Sequence, residues 1–292
     1  MMSQYQVTTH QDTYTLYTLT ESATDSSVTI CPERGAIAIS CKLRGEELFY
    51  LDRDTFIDPE ANIRGGNPIL FPICGQLVNG AYEWDGVVYQ MRNHGVARNR
   101  AWEVVSTSEE GEASLTVRLT AGEGTYNEYP WNFALEFTYT LKDGQLHIRQ
   151  VYANQADTDM PVYAGFHPYF NISSKKFVYE TDATKFLDYN DNVVKPIDGA
   201  IDMDGLKESI ALLDAQERQI AFPGPDGTGR VRLTYSDDFK YVVLWQVDGK
   251  PFICVEPWMA LNAELNRKEE LPMIPAGTTR NLVVTIGYTP GE

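Results

Sequence analysis

The sequence predicts an all-β protein, a large antiparallel β-sandwich with few short helices, and three observations predict it. Apolar residues alternate or come in short runs instead of recurring at helical spacing. Gly, Asn, Asp and Pro break those runs at close intervals, and β-branched and aromatic residues are concentrated inside them.

In chain order, 27–39 holds two short strand candidates around the turn Pro32–Gly35. Strands follow at 102–107, 113–120 and 131–141, and Lys142-Asp143-Gly144 signals a turn into 145–154. Further strands are expected at 231–235, 241–246, 252–255 and 281–288, with Asp248-Gly249 marking a tight hairpin. The one helix signal spans 205–219, and within it 209–213 also reads as a short strand, so a parallel α/β sheet is disfavoured. The Asp-rich stretch 182–204 has few core candidates and is expected to wrap the surface or rim a site. No repeat or Pro/Ser-rich linker divides the 292 residues, so 1–292 is expected to be a single domain, a size that large sandwiches reach.

The formal charge of −17 repels phosphate backbones and anionic lipid, and no basic patch offsets it. Neither nucleic acid nor membrane is therefore an expected partner. No apolar stretch approaches the roughly 20 residues of a membrane span. The start of the chain lacks the basic segment and apolar core of a signal peptide, which makes the cytoplasm the expected location. Cys31, Cys41, Cys74 and Cys254 are widely spaced with no C-x-x-C pair, so buried thiols are expected rather than disulfides or a zinc knuckle.

Two of the four histidines lie in constrained local sequences, Asn93-His94-Gly95-Val96-Ala97-Arg98 and Gly165-Phe166-His167-Pro168-Tyr169-Phe170. His10 and His147 lie in ordinary polar or alternating segments, where a solvent-facing or paired role suffices. Cys254-Val255-Glu256-Pro257-Trp258 places a carboxylate at the end of an apolar strand, where poor solvation raises its pKa toward that of a useful base. The plainer role for Glu256 is a carboxylate bonded to backbone N–H groups or to an arginine. Arg64–Gly75 is rich in glycine and proline but lacks the spacing of a phosphate-cradling loop, so its glycines are expected to permit tight turns beside a pocket.

These motifs, with Tyr129–Phe133, Asn154 and 160–170, resemble the galactose mutarotase-like aldose 1-epimerases, in order, over about 27–288. The likeness is closest to the branch that includes the glucose-6-phosphate 1-epimerases. The resemblance implies a sandwich of the galactose mutarotase type whose concave face binds a pyranose and interconverts its α and β anomers, without metal or other cofactor. Matched position by position, Glu256 takes the place of the general base, His167 that of the general acid, and His94 that of a second histidine holding the ring region. Arg64 and Arg98 match substrate-side arginines; Val96 stands where phenylalanine is commoner. Asn93 and Trp258 complete the expected binding set.

The residue types suit this chemistry on their own terms. Opening a hemiacetal removes a proton from O1 and adds one to the ring oxygen O5; closure on the other face reverses both transfers. Trp131, Tyr169 and Trp258 are candidates for apolar faces against the sugar, and Asp residues of 182–204 for its hydroxyls. Three alternatives stand beside the free-aldose reading. One is a hexose 6-phosphate held by Arg64 and Arg98, with Arg100 as a further candidate. Another is a non-catalytic carbohydrate-binding protein on the same fold. The third is a metal site built from His94, His167 and Glu256.

Overall fold

The structure, a computed structural model, describes residues 4–291; Met1–Ser3, part of the segment read for a signal peptide, and Glu292 lie outside the described residues. Three sheets dominate, and all their ladders are antiparallel. The first is a five-stranded meander, Tyr5–Gln11, Thr15–Glu21, Ser26–Cys31, Ile37–Leu43 and Glu46–Glu47. The second has seven strands in the order Gln219–Pro223, Arg230–Tyr235, Thr279–Thr289, Gln145–Asn154, Phe133–Lys142, Ala113–Thr120 and Glu103–Ser108.

The third sheet runs Val193–Pro196, Lys185–Asp188, Ile210–Leu212, Tyr241–Trp245, Phe252–Trp258, Gly165–Phe166 and Ile69–Leu70, with Tyr169–Asn171 also pairing with Phe252–Trp258. Together these sheets form a large antiparallel β-sandwich. Among the described residues helix is confined to short pieces such as Arg53–Ile57, Glu123–Tyr126 and Glu264–Arg267. None among the described residues is long and apolar enough to cross a membrane.

Alternation explains why the second sheet presents one dry face. Along Phe133–Lys142, Phe133, Leu135, Phe137, Tyr139 and Leu141 are buried while the residues between them are half-buried or exposed. The partner strand Gln145–Asn154 joins in register through Lys142 and Gln145 across Asp143 and Gly144. Both turn residues have positive φ, 54° and 70°, as a two-residue hairpin turn of the primed type demands. The dry face meets the third sheet through aromatic rings: Phe137 lies 6.1 Å from Phe166, and Phe71 lies 4.8 Å from Phe133.

Two expectations change. The 205–219 helix signal yields instead the strand Ile210–Leu212, held between Lys185–Asp188 and Tyr241–Trp245; tertiary pairing overrides a weak local preference. The 182–204 stretch is not simply a surface wrap, because it supplies two adjacent strands at one edge of the third sheet. Its aspartates build the turns there. Asp182 accepts from the backbone of Gln216 and Glu217, and Asp188 accepts from Asn190 and Lys195.

Candidate active site

Every residue of the strand Phe252–Trp258 is buried, because it lies centrally in the third sheet with both faces covered. Ile253 and Val255 enter the main core, whereas Phe252 and Cys254 pack with Tyr169 in a smaller cluster bordered by Trp245. Period two puts Glu256 and Trp258 on this second side. Glu256 is thus not at a strand end. The strand continues to Trp258, and Glu256 pairs with Val243 in mid-ladder. Its side chain is 1% exposed and its Oε2 accepts from the Trp258 indole N–H at 3.0 Å.

His167 sits between Gly165–Phe166 and Tyr169–Asn171, anchored by donation of its backbone N–H to Pro68 at 3.1 Å. The residue is 7% exposed, its ring stacked 4.7 Å from Tyr169 at 8° and edge-on to Trp245. Nδ1 lies 3.4 Å from Glu256 Oε1 and is sealed from solvent without a hydrogen-bond partner. This leaves Nε2 as the nitrogen available to a ligand in the pocket.

His94 comes from a loop locked onto the Gly65–Gly75 segment. Its backbone N–H donates to Gly75 at 2.8 Å, and Gly75 N–H donates back to Nδ1 at 3.2 Å. Nδ1 therefore accepts, and the proton of the neutral ring belongs on Nε2. Gly75 has φ of 75°, and a Cβ there would lie 2.0 Å from Asn262 Oδ1 and 2.9 Å from the Trp258 ring, so only glycine allows this close approach. The two imidazoles meet edge to face at 5.2 Å.

Glu256, His167, His94, Trp258, Asn93 and Arg64 line one pocket of about 170 Å³. That is smaller than the roughly 300–1,000 Å³ of sites for drug-sized ligands and fits a small polar molecule. Gly75, Gln76, Glu208, Ser209, Val243, Trp245 and Asn262 complete the wall. A second lobe of about 530 Å³ shares Arg64, Asn93, His94 and His167, and adds Arg92, Arg98, Glu60 and Tyr169.

Arg64 lies over the Trp245 ring at 5.1 Å. Arg98 is half-buried, and its guanidinium has no hydrogen-bond or ion-pair partner among the described residues. Arg100 does not join them. It is tied to Gly124 and, at 3.3 Å, to Glu128, away from both lobes.

Burial governs the electrostatics. It pushes the Glu256 carboxyl well above the usual carboxylate range, opposed by the Trp258 hydrogen bond and by Arg98. Burial likewise pushes His167 well below the usual histidine range, helped by His94, Arg98 and Arg64. His94 is held down at about 3 by burial, with Arg98 and Arg64 adding to it. Both members of the Glu256–His167 pair are thus driven toward their neutral forms, a carboxylic acid beside a neutral imidazole. The ion pair that their spacing also permits contains the same single proton on the other partner.

Of the seven site residues expected from sequence, six converge on the smaller pocket, and Arg98 reaches the adjoining lobe. Of the three candidate aromatics, Trp258 lines the pocket and Tyr169 the second lobe. Trp131 instead packs against Trp84 and Tyr129 and donates to Asp159 O in the core. The aspartates of 182–204 line neither lobe. Glu208 does, its backbone held at both N–H and carbonyl by Asn190. Gln76, Ser209, Asn262 and Arg92 were also missed, and nothing in their local sequence distinguishes them from ordinary loop residues.

The aldose 1-epimerase family model matches residues 15–283, and the chain belongs to that family. It is 30% identical to the Slr1438 protein from Synechocystis sp. PCC 6803, with a TM-score of 0.91 over 98% of this chain and 99% of that one. The fold is shared by a galactose mutarotase related enzyme from Lactobacillus acidophilus, 20% identical, with a TM-score of 0.76 over 98% of each chain. The chromosomal protein LacX of Lactococcus lactis subsp. lactis is 27% identical over 74% of this chain and 82% of its own length.

Proposed function

We propose that this protein is a mutarotase that interconverts the α and β anomers of a hexopyranose by proton transfer. The observation that carries this reading is the approach of His167 to Glu256, 3.4 Å apart beneath a small polar pocket. In the working form the pair's one proton resides on His167. Glu256 takes the proton from O1 as His167 delivers its own to O5, the ring opens, and C1 turns before the two transfers run backward. His94, neutral with Nε2–H exposed to the pocket, donates to a sugar oxygen and holds the ring region. In this reading Asn93, Glu208 and Asn262, which line the same pocket, bond distal hydroxyls, and Trp258 offers an apolar edge.

Polarimetry on freshly dissolved α-glucose and α-galactose tests the assignment. Catalysed relaxation is expected, and relaxation at the spontaneous rate under high protein concentration favours a non-catalytic sugar binder instead.

The pH profile follows from the two opposed shifts. Adding a second proton to the pair leaves no base, and His167 resists that proton because its folded pKa is depressed; the acid limb therefore lies below histidine's ordinary 6.5. Removing the only proton leaves no acid, and this limb lies above the ordinary carboxylate range because Glu256 is raised. Measured as kcat/KM in the presence of chelator, the profile is expected to be a bell. An acid limb centred at or above 6.5 contradicts this description of the buried imidazole.

The unpartnered Arg98 favours a second reading, in which the sugar carries a 6-phosphate held in the lobe lined by Arg64, Arg92 and Arg98. Arg98→Ala is then expected to reduce kcat/KM about ten- to a hundredfold for glucose 6-phosphate, the value of a charged hydrogen bond. The rate with free glucose is expected to be little changed. Equal losses with both sugars would assign Arg98 to the reacting end.

A further inference from the structure

Behind the pocket wall formed by His167 and Glu256 lies a thiol that proton transfer leaves unused. Cys254 precedes Glu256 by two residues on one strand, so both side chains leave the same face of the sheet. Cys254 is a free, fully buried thiol. One donor atom from each of His167, Cys254 and Glu256 lies within 4.8 Å of the other two, the one three-residue group of this kind among the described residues.

A second observation points to a ligand there. His167 Nδ1, in a residue 7% exposed, has no hydrogen-bond partner and faces this group. A buried polar nitrogen left unpaired is costly, and a cation would satisfy it. Imidazole nitrogen, thiolate sulfur and carboxylate oxygen form a donor set that zinc accepts, at about 2.0–2.3 Å each. Nitrogen and oxygen on one tetrahedral ion stand about 3.3 Å apart at those bond lengths. The 3.4 Å between Nδ1 and Oε1 already matches. Nitrogen and sulfur would stand about 3.5 Å apart, so from a separation of at most 4.8 Å the thiol needs to close in by no more than about 1.3 Å. The sulfur disfavours magnesium and calcium, which take oxygen donors.

We propose that this buried group behind the pocket binds a thiophilic divalent cation, zinc first among them, through His167 Nδ1, Cys254 Sγ and a Glu256 oxygen, and that occupancy switches the enzyme off. Binding forms three metal–ligand bonds and releases to solvent the thiol proton together with the one proton that Glu256 and His167 share; nothing is oxidised or reduced. The switching role rests on the mutarotase reading, whereas the binding itself does not. Cys254 replaces His94 in the metal site considered from sequence, because the His94 ring is committed through Nδ1 to Gly75.

Cobalt(II) titrated into the metal-free protein reports binding without any turnover. One equivalent is expected to produce a thiolate-to-cobalt charge-transfer band that zinc displaces and Cys254→Ala abolishes. In the mutarotation assay, saturating zinc is expected to slow the wild type at least tenfold, reversibly with chelator. Cys254→Ala is expected to keep the metal-free rate and to need about 10–100-fold more zinc, at least the loss that follows removal of a supporting partner.

Cys254→Ser serves the same comparison if the alanine variant does not fold. Absence of the thiolate band, or its persistence in the Cys254 variant, overturns the site. Equal zinc sensitivity in wild type and variant overturns the switch. A protein that binds cobalt through Cys254 but does not accelerate mutarotation would retain the site while the mutarotase reading fails.

Discussion

Glu256→Gln is expected to lower the mutarotation rate about 10²–10⁴-fold, the range for one positioned acid–base group. The amide keeps the size of the side chain and an oxygen to accept the Trp258 indole N–H, so the pocket keeps its shape. What it loses is the capacity to take the O1 proton. Stability is expected to move the other way. Burial raises the folded pKa of Glu256 above its unfolded value, so the folded state holds a proton that the unfolded chain releases as pH rises through the carboxylate range. That linkage erodes wild-type stability from about pH 4.5 upward until the folded pKa is reached, and glutamine carries no such term. At neutral pH the variant is expected to melt no lower than the wild type. Calorimetry beside polarimetry checks both halves; full activity in the variant removes Glu256 from its assigned role.

His167→Ala is expected to cost a similar 10²–10⁴-fold in rate, but with a stability penalty. The ring stacks on Tyr169 at 4.7 Å and contacts Trp245 edge-on, so its removal leaves a gap in an aromatic wall, at a cost of about 1–3 kcal/mol. Because one proton serves both residues, the Glu256→Gln/His167→Ala double variant is expected to be no slower than the worse single variant. Multiplicative losses in the double variant would mean that the two groups act on separate steps. Partial recovery of His167→Ala by added imidazole separates loss of proton transfer from collapse of the pocket.

Much of the fold was legible because alternation is a local signal. The strands at 113–120 and 145–154 emerge with the bounds the pattern gives, and Asp143-Gly144 folds into the hairpin that its positive φ values require. The segment around Ile210 was ambiguous for the opposite reason, since only its neighbours on both sides decide that it is a strand. In the site, His94 and His167 stood out through unusual flanking sequences, and Glu256 through a charge next to an apolar run. Glu208, Asn262 and Arg92 carry no comparable mark. Their placement depends on hydrogen bonds such as those between the Asn190 side chain and the Glu208 backbone, which join loops distant from the histidines in sequence. Composition was also misleading: the aspartates of 182–204 suggested sugar contacts and instead cap turns and pair with lysine.

The strand that carries Glu256 lies between paired neighbours and is covered on both faces. Its amides are expected to exchange with deuterium only when the sandwich comes apart, as for a central, fully paired core strand. Thermal inactivation and global melting should therefore coincide, with no milder intermediate in which the chain stays folded but has already lost its carboxylate geometry.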